Sequence, residues 1–227
     1  MSSSAAFGVI FDLDGVLIDS PRYNRVAINE VLASYGLSLD QIQDARGEGN
    51  TGRSLRDLVL IIKEKYGVDV PLREIEERVT RRGFELLREA PDVAYPHLKH
   101  FLSNLQSRGV LLAVGSSSTG SRVRNLLSWL GILDYFTTIV SADDVRNHKP
   151  SPDTFLEAAR RLGLPPSRCV VVEDSALGVE SATRAGMKVI GFLAFQYRPN
   201  PLTDADLVVH DFTELTYDKL VKLFSDA

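Results

Sequence analysis

The stretch Phe7-Gly8-Val9-Ile10-Phe11-Asp12-Leu13-Asp14-Gly15-Val16 sets the reading of the whole chain. Its first five residues show no polar alternation, the pattern of a strand covered on both faces. Two carboxylates, Asp12 and Asp14, follow directly. Five later runs have the same character: Val110 to Val114, Thr138-Ile139-Val140, Cys169-Val170-Val171-Val172, Val189-Ile190-Gly191-Phe192 and Leu207-Val208-Val209. Between them, apolar residues recur at helical spacing. Leu98, Phe101, Leu102 and Leu105 form one such set. Val123, Leu126, Leu127 and Leu130 form a second, and Phe155, Ala158, Ala159 and Leu162 a third. Leu215, Leu220 and Leu223 point to a terminal helix. This alternation predicts an α/β fold with a doubly wound, Rossmann-like parallel sheet.

Residues from about Ser20 to Ala90 carry no convincing strand. Ser20-Pro21 reads as a helix start, Ser as N-cap and Pro at the first helical position. Leu55, Leu58, Val59, Ile62 and Tyr66 follow helical spacing, and Ile75, Val79 and Leu86 continue it in a third helix. Prolines at 21, 91 and 96 mark the edges of this stretch. The expected division is a core domain of residues 1–19 and 91–227, with a helical cap domain of residues 20–90 inserted into it. No internal repeat or low-complexity tract interrupts either part.

The 227 residues include 26 Lys plus Arg and 30 Asp plus Glu, a net charge of -4. That balance argues against binding nucleic acid through its phosphates. No apolar run approaches the roughly 20 residues of a membrane helix. The opening Met1-Ser2-Ser3-Ser4-Ala5-Ala6 lacks the basic and apolar regions of a signal peptide. A single cysteine, Cys169, permits no internal disulfide and fits a reducing cytoplasm. A monomer or weak dimer is expected, with no nucleic-acid or membrane partner.

Asp12 and Asp14 follow the first strand, Ser116 the second, Lys149-Pro150 the third after a loop, and Glu173 and Asp174 the fourth. All fall at the carboxyl ends of predicted parallel strands, where open α/β sheets bind ligands. Carboxylates gathered at one edge repel one another unless a cation neutralises them. Oxygen-only ligands suit a hard ion, and Mg2+ commonly takes one or two carboxylates plus a substrate phosphate. A lysine and a serine beside that ion suit an anion with several oxygens, as phosphate has.

Asp12-Leu13-Asp14-Gly15, Ser116, Lys149-Pro150-Ser151-Pro152-Asp153 and Glu173-Asp174-Ser175 together resemble the four motifs of the haloacid dehalogenase-like hydrolases, in the family's order. The inserted helical stretch resembles the cap of the phosphatase and β-phosphoglucomutase branch. The resemblance implies that Asp12 is the nucleophile that becomes an aspartyl-phosphate, and that Asp14 is the general acid and base. It implies Mg2+ held by Asp12, Glu173, Asp174 and the backbone carbonyl of Asp14. Ser116, the amide of Ser117 and Lys149 would stabilise the oxygens of the transferring phosphoryl group. Gly15 would let the chain leave the site in a tight turn. The implied activity is Mg2+-dependent hydrolysis of small phosphorylated metabolites, with sugar phosphates favoured.

A phosphorylated receiver domain shares an acidic pair, a hydroxyl and a Lys-Pro, but it needs neither a helical insertion nor acids after the fourth strand. A sugar phosphomutase is closer, yet such enzymes typically carry His twelve residues after the nucleophile, where this chain has Asn24. Asp14 argues against dehalogenation, because haloacid dehalogenases lack that second aspartate. A phosphonatase would need a Schiff-base lysine, and nothing marks Lys63 or Lys65 for that role. The family's usual Gly after Pro96 is replaced by His97.

Substrate selection is expected in the loop from Arg46 to Arg53, placed between the first two cap helices, with Asn50 and Arg53 as contacts. Cys169 is expected in the core, and Arg81-Arg82 and Arg160-Arg161 on exposed helix faces. His97, His100, His148 and His210 show no metal-ligand spacing, although His148 lies next to Lys149.

Overall fold

The computed structural model describes residues 7–44, 55–68, 71–90, 93–194 and 202–225. These pack as two compact units, one running to Ile18 and resuming at Ala94, the other spanning Asp19–Val93. Among the described residues, no helix is long and apolar enough to cross a membrane.

The first unit is built on six parallel strands: β1 (Gly8–Phe11), β2 (Leu111–Gly115), β3 (Thr138–Val140), β4 (Cys169–Glu173), β5 (Lys188–Phe192) and β6 (Leu207–Val209). Their order in the sheet is β3-β2-β1-β4-β5-β6. β1 is central, with Ile10 opposite Ala113 on one side and Val171 on the other. Both faces of β1 are covered, which is why its sequence lacks polar alternation. Ile10 joins a cluster with Phe155, Ala158, Ala159 and Leu162 of α7 (Asp153–Leu162) and Val179 and Ala182 of α8 (Ala176–Arg184). Phe11 lies edge-on to Phe101 of α5 (Leu98–Ser107), with 6.2 Å between ring centroids. An aromatic stack continues through Phe212 to Phe192.

The chain reverses its direction of winding around β1. After β1 it builds β2 and β3 on one side, then crosses to build β4, β5 and β6 on the other. The crevice between the carboxyl ends of β1 and β4 is therefore the switch point where such sheets bind ligands.

The second unit contains α1 (Ser20–Ala33), α2 (Leu39–Asp44), α3 (Leu55–Tyr66) and α4 (Leu72–Glu89). Ala27, Val31 and Leu32 of α1, Leu58, Ile61 and Ile62 of α3, and Ile75 and Val79 of α4 form its apolar cluster. Three details differ from the sequence reading. The N-cap of α1 is Asp19, not Ser20, and the Ser20 hydroxyl is buried with no partner among the described residues. Leu87 rather than Leu86 is buried on α4. The short helix α2 was not foreseen, so residues 45–54 follow the second helix of this unit rather than the first.

Of the two arginine pairs, Arg81, Arg160 and Arg161 are exposed as expected, and Arg82 departs from that reading. Arg82 is half-buried and pairs with Glu30, tying α4 to α1. Arg161 reaches from α7 to the carbonyl of Ile139 at 2.9 Å and to Asp144 at 2.6 Å. It also pairs with Glu157, 2.7 Å away. Arg161 thereby braces the end of β3 and the short turn Ala142–Asp144 that follows it. Burial works against the Asp144 charge, but hydrogen bonds from Ser141 and Arg161 outweigh it and hold the carboxyl down to about 2.

Gly83 lies inside α4, and a Cβ there would come 2.8 Å from the Asn24 Oδ1, the movable end of an exposed side chain. Gly83→Ala is expected to stabilise the protein by about 0.5–1 kcal/mol through helix propensity, read from urea unfolding. Arg161→Ala should cost about 1–2 kcal/mol at pH 7. Asp144 is depressed in the folded chain, so its contribution is present above the unfolded carboxylate value near ~4 and fades as pH falls toward 2. The Arg161→Ala deficit should shrink over that window; a deficit unchanged down to pH ~2.5 would show that Asp144 is not the partner that matters.

Candidate active site

The polar residues named from the sequence gather at the carboxyl edge of the sheet. Asp12 leaves β1, and its backbone N–H still donates to the Val172 carbonyl at 3.0 Å, which fixes it beside β4. Its side chain is nearly enclosed, as is that of Glu173 at the end of β4. Between them stands Lys149, whose Nζ donates to Asp12 Oδ1 and to Glu173 Oε1, both at 2.6 Å. The same ammonium lies 4.7 Å from the centre of the Phe155 ring, an additional cation–π contact.

This triad is charged in a place that disfavours charge. Burial pushes the Asp12 carboxyl up to about 7, against the opposing pull of Lys149, and Glu173 and Asp14 add to the rise. Burial also works against the Lys149 ammonium, but the two carboxylates outweigh it and hold it above its ordinary range. The lysine therefore stays a cation, and its carboxylate neighbours are kept close together by it.

Glu173 is fully hydrogen-bonded. Besides Lys149, its Oε2 accepts from the backbone N–H of Ser175 at 2.8 Å and from the Ser175 hydroxyl at 2.9 Å. Ser175 is also the N-cap of α8, its hydroxyl accepting from the Gly178 N–H. Asp174 is buried against the turn after β1. There Gly15 takes φ +90°, and a Cβ on it would fall on the Asp174 carboxylate. Glycine is needed twice over, for the backbone conformation and for the space.

The segment carrying Lys149 is held by its own motif. Asp153, the first residue of α7, accepts from Ser151 Oγ at 2.7 Å and from Asn147 Nδ2 at 2.9 Å. Ser181 of α8 donates to the Ser151 carbonyl at 2.6 Å. Ser116 follows β2, buried, with its N–H on the Val140 carbonyl and its hydroxyl accepting from the Ser118 N–H at 3.1 Å. Ser117 beside it is exposed.

Asp14 is engaged by two residues that the sequence reading missed. Arg122 of α6 (Gly120–Trp129) donates to Asp14 Oδ1 at 2.8 Å, and the Ser118 hydroxyl donates to Oδ2 at 3.1 Å. Ser118 stands two residues after Ser116, but Arg122 lies in the first turn of α6 without a marking neighbour. Asn50 and Arg53 lie outside the described residues. Cys169 begins β4, at the opposite end of the strand from Glu173, and burial pushes its thiol up to about 11. It is a core residue, as expected. His148 is exposed.

Residues 9–192 match the family described as haloacid dehalogenase-like hydrolase. The fructose-1-phosphate phosphatase YqaB of Escherichia coli (strain K12) is 34% identical over 184 residues, which covers 81% of this chain and 94% of that protein. The β-phosphoglucomutase of Bacillus subtilis (strain 168) is 30% identical over 217 residues, with 93% and 92% covered. Among solved structures, a HAD family hydrolase from Deinococcus radiodurans R1 with bound phosphate and sodium superposes with a TM-score of 0.78 at 27% identity. That match covers 97% of this chain and 98% of the other. With the family match spanning most of the chain and the four motifs meeting at one sheet edge, the chain belongs to the haloacid dehalogenase-like hydrolases.

Proposed function

We propose that this protein is a Mg2+-dependent phosphatase of small phosphomonoesters, with sugar phosphates the favoured class. The observation that carries the reading is Asp12, enclosed at the switch point and held there by Lys149, with Asp14 two residues on. An Asp12 oxygen attacks phosphorus, the bond to the ester oxygen breaks, and Asp14 supplies that oxygen's proton. Water then attacks the aspartyl-phosphate, Asp14 takes the water's proton, and the bond between Asp12 and phosphorus breaks to release phosphate. Lys149, Ser116 and the Ser117 amide face the oxygens of the transferring group and offset their charge.

The donors fit a hard divalent ion. Asp12 and Asp174 are buried oxygen donors, and Gly15 leaves space for the Asp174 carboxylate at the turn after β1. Among the described residues no three acidic or histidine side chains form a closed cage. Mg2+ does not require one, since it keeps several waters and shares the substrate phosphate. Asp12, Asp174 and the Asp14 carbonyl would hold the ion; Glu173, expected as a further ligand, has both oxygens engaged by Lys149 and Ser175, and in this reading it fixes Lys149 and adds its charge beside the ion. When bound, the ion neutralises the approaching phosphoryl oxygens.

Asn50 and Arg53 are the proposed substrate contacts in the second unit. The single, buried cysteine suits a reducing compartment, and we place the protein in the cytoplasm.

The similarity to a β-phosphoglucomutase supports a second reading, transfer of the phosphoryl group to a sugar instead of water. Asn24 weighs against it. It sits on α1, where the related mutases carry the imidazole that helps to restrain Asp14. An amide can hydrogen-bond there but cannot carry a proton's charge.

Purified protein with Mg2+ should release phosphate from at least one small phosphomonoester, and a chelator should stop it. Asp12→Asn should abolish turnover and the acyl-phosphate intermediate together; near-normal turnover in that variant, without deamidation, would remove the nucleophile assignment. Asp14→Asn should slow turnover by roughly 10²–10⁴-fold. Supplied with β-glucose 1-phosphate and a bisphosphate primer, the protein should yield free phosphate and little glucose 6-phosphate. Isomerisation faster than phosphate release would favour the mutase.

A further inference from the structure

The site holds two cations in very different settings. Lys149 is sealed in, its side chain 8% exposed, and bonds two buried carboxylates. Arg122 is 28% exposed and Asp14, its partner, 33%. The two form a ring with Ser118, since Arg122 Nε also reaches the Ser118 hydroxyl at 3.3 Å. Both carboxylate oxygens of Asp14 are thereby occupied. Arg122 Nη1 has no hydrogen-bond partner among the described residues.

An ion pair this exposed is worth at most about 1 kcal/mol, so a better anion exchanges into it readily. Guanidinium is also the side chain whose planar fork matches a carboxylate or phosphate with two parallel bonds. An Asp14 oxygen that accepts from Arg122 or Ser118 is not free to serve a leaving group. An anion that draws Arg122 away would free one.

We propose that Arg122 recognises a second oxyanion, a carboxylate or another phosphate, carried by the same substrate molecule, and that taking it up releases Asp14. This inference rests on the phosphatase reading and narrows it, favouring doubly anionic phosphomonoesters over those with a neutral tail. Arg122 is a specificity and positioning residue, distinct from Lys149, which serves the transferring phosphoryl group.

The test compares matched ligands. Phosphoglycolate and fructose 1,6-bisphosphate carry a second carboxylate and a second phosphate, and glycerol 3-phosphate carries neither. Arg122→Ala should raise KM for one or both doubly anionic esters by about 10–100-fold and, because Asp14 is then no longer held by the guanidinium, should raise rather than lower kcat for glycerol 3-phosphate. The affected ester identifies which oxyanion is read. Arg122→Lys should restore part of the loss. Binding provides a readout that needs no turnover: by calorimetry, phosphonoacetate should bind at least tenfold more weakly to Arg122→Ala than to the parent, whereas methylphosphonate should not. An equal loss on all three esters, or unchanged phosphonoacetate binding, overturns the proposal. Absence of hydrolysis of any ester by the parent protein, with phosphonoacetate discrimination intact, would count against the phosphatase reading and leave the Arg122 assignment standing.

Discussion

A buried ammonium between two buried carboxylates is the constraint around which the rest of this site is arranged. Lys149 joins Asp12, 137 residues before it, to Glu173, 24 residues after it. Without the cation, the two acids would face one another inside the protein, and breaking such a pair costs on the order of 3–5 kcal/mol. The surroundings are shaped to keep the lysine in place. Ser151, Asn147 and Ser181 pin its loop, and Ser175 takes the other Glu173 oxygen.

The sheet order supplies what the ion pair needs. Because β1 and β4 are neighbours, the residues that follow them emerge side by side and converge on one crevice. Gly15 then allows the turn after β1 to press against Asp174. Charge is graded across this crevice. The sealed lysine is fixed equipment, whereas the partly exposed pair of Arg122 and Asp14 can be rearranged at small cost.

All six strands were readable from the sequence: double-sided burial writes the inner strands β1, β2, β4 and β5 as unbroken apolar runs, and the edge strands β3 and β6 are short apolar runs as well. The core helices were readable for the complementary reason, their buried faces recurring at helical spacing. The positions of Asp12, Ser116, Lys149 and Glu173 at strand ends followed from those strands. What escaped has no such local signal. The helix α2 has six residues, too few for a period to declare itself. Ser20 beside Pro21 looked like a cap, but the helix takes it in as its first residue and leaves Asp19 outside. Arg122 meets a partner 108 residues away, a contact that neither spacing nor composition encodes. Arg161 sits in an ordinary basic pair, and only the fold brings Ile139 and Asp144 within its reach. His97 replaces the glycine that the family resemblance leads one to expect, yet the backbone keeps the left-handed conformation, φ 65°, that glycine adopts without strain.

The central place of β1 also bears on how the chain reaches its native state. Its ladder partners, Leu111–Val114 and Cys169–Val172, lie about a hundred and about a hundred and sixty residues further along. Closing loops of that size must be done before any hydrogen bond of either ladder repays it, and non-local parallel pairing is slow for that reason. A growing chain therefore carries Gly8–Phe11 as an apolar, unpaired segment through the first half of its synthesis, whereas the helices of the Asp19–Val93 unit can form from local contacts well before β4 exists. Asp12, placed directly after that segment, gains its lysine only when nearly two-thirds of the sequence has been made. The catalytic edge is thus among the last parts of the molecule to be completed, and a chain halted early in folding would present a sticky strand and no active site.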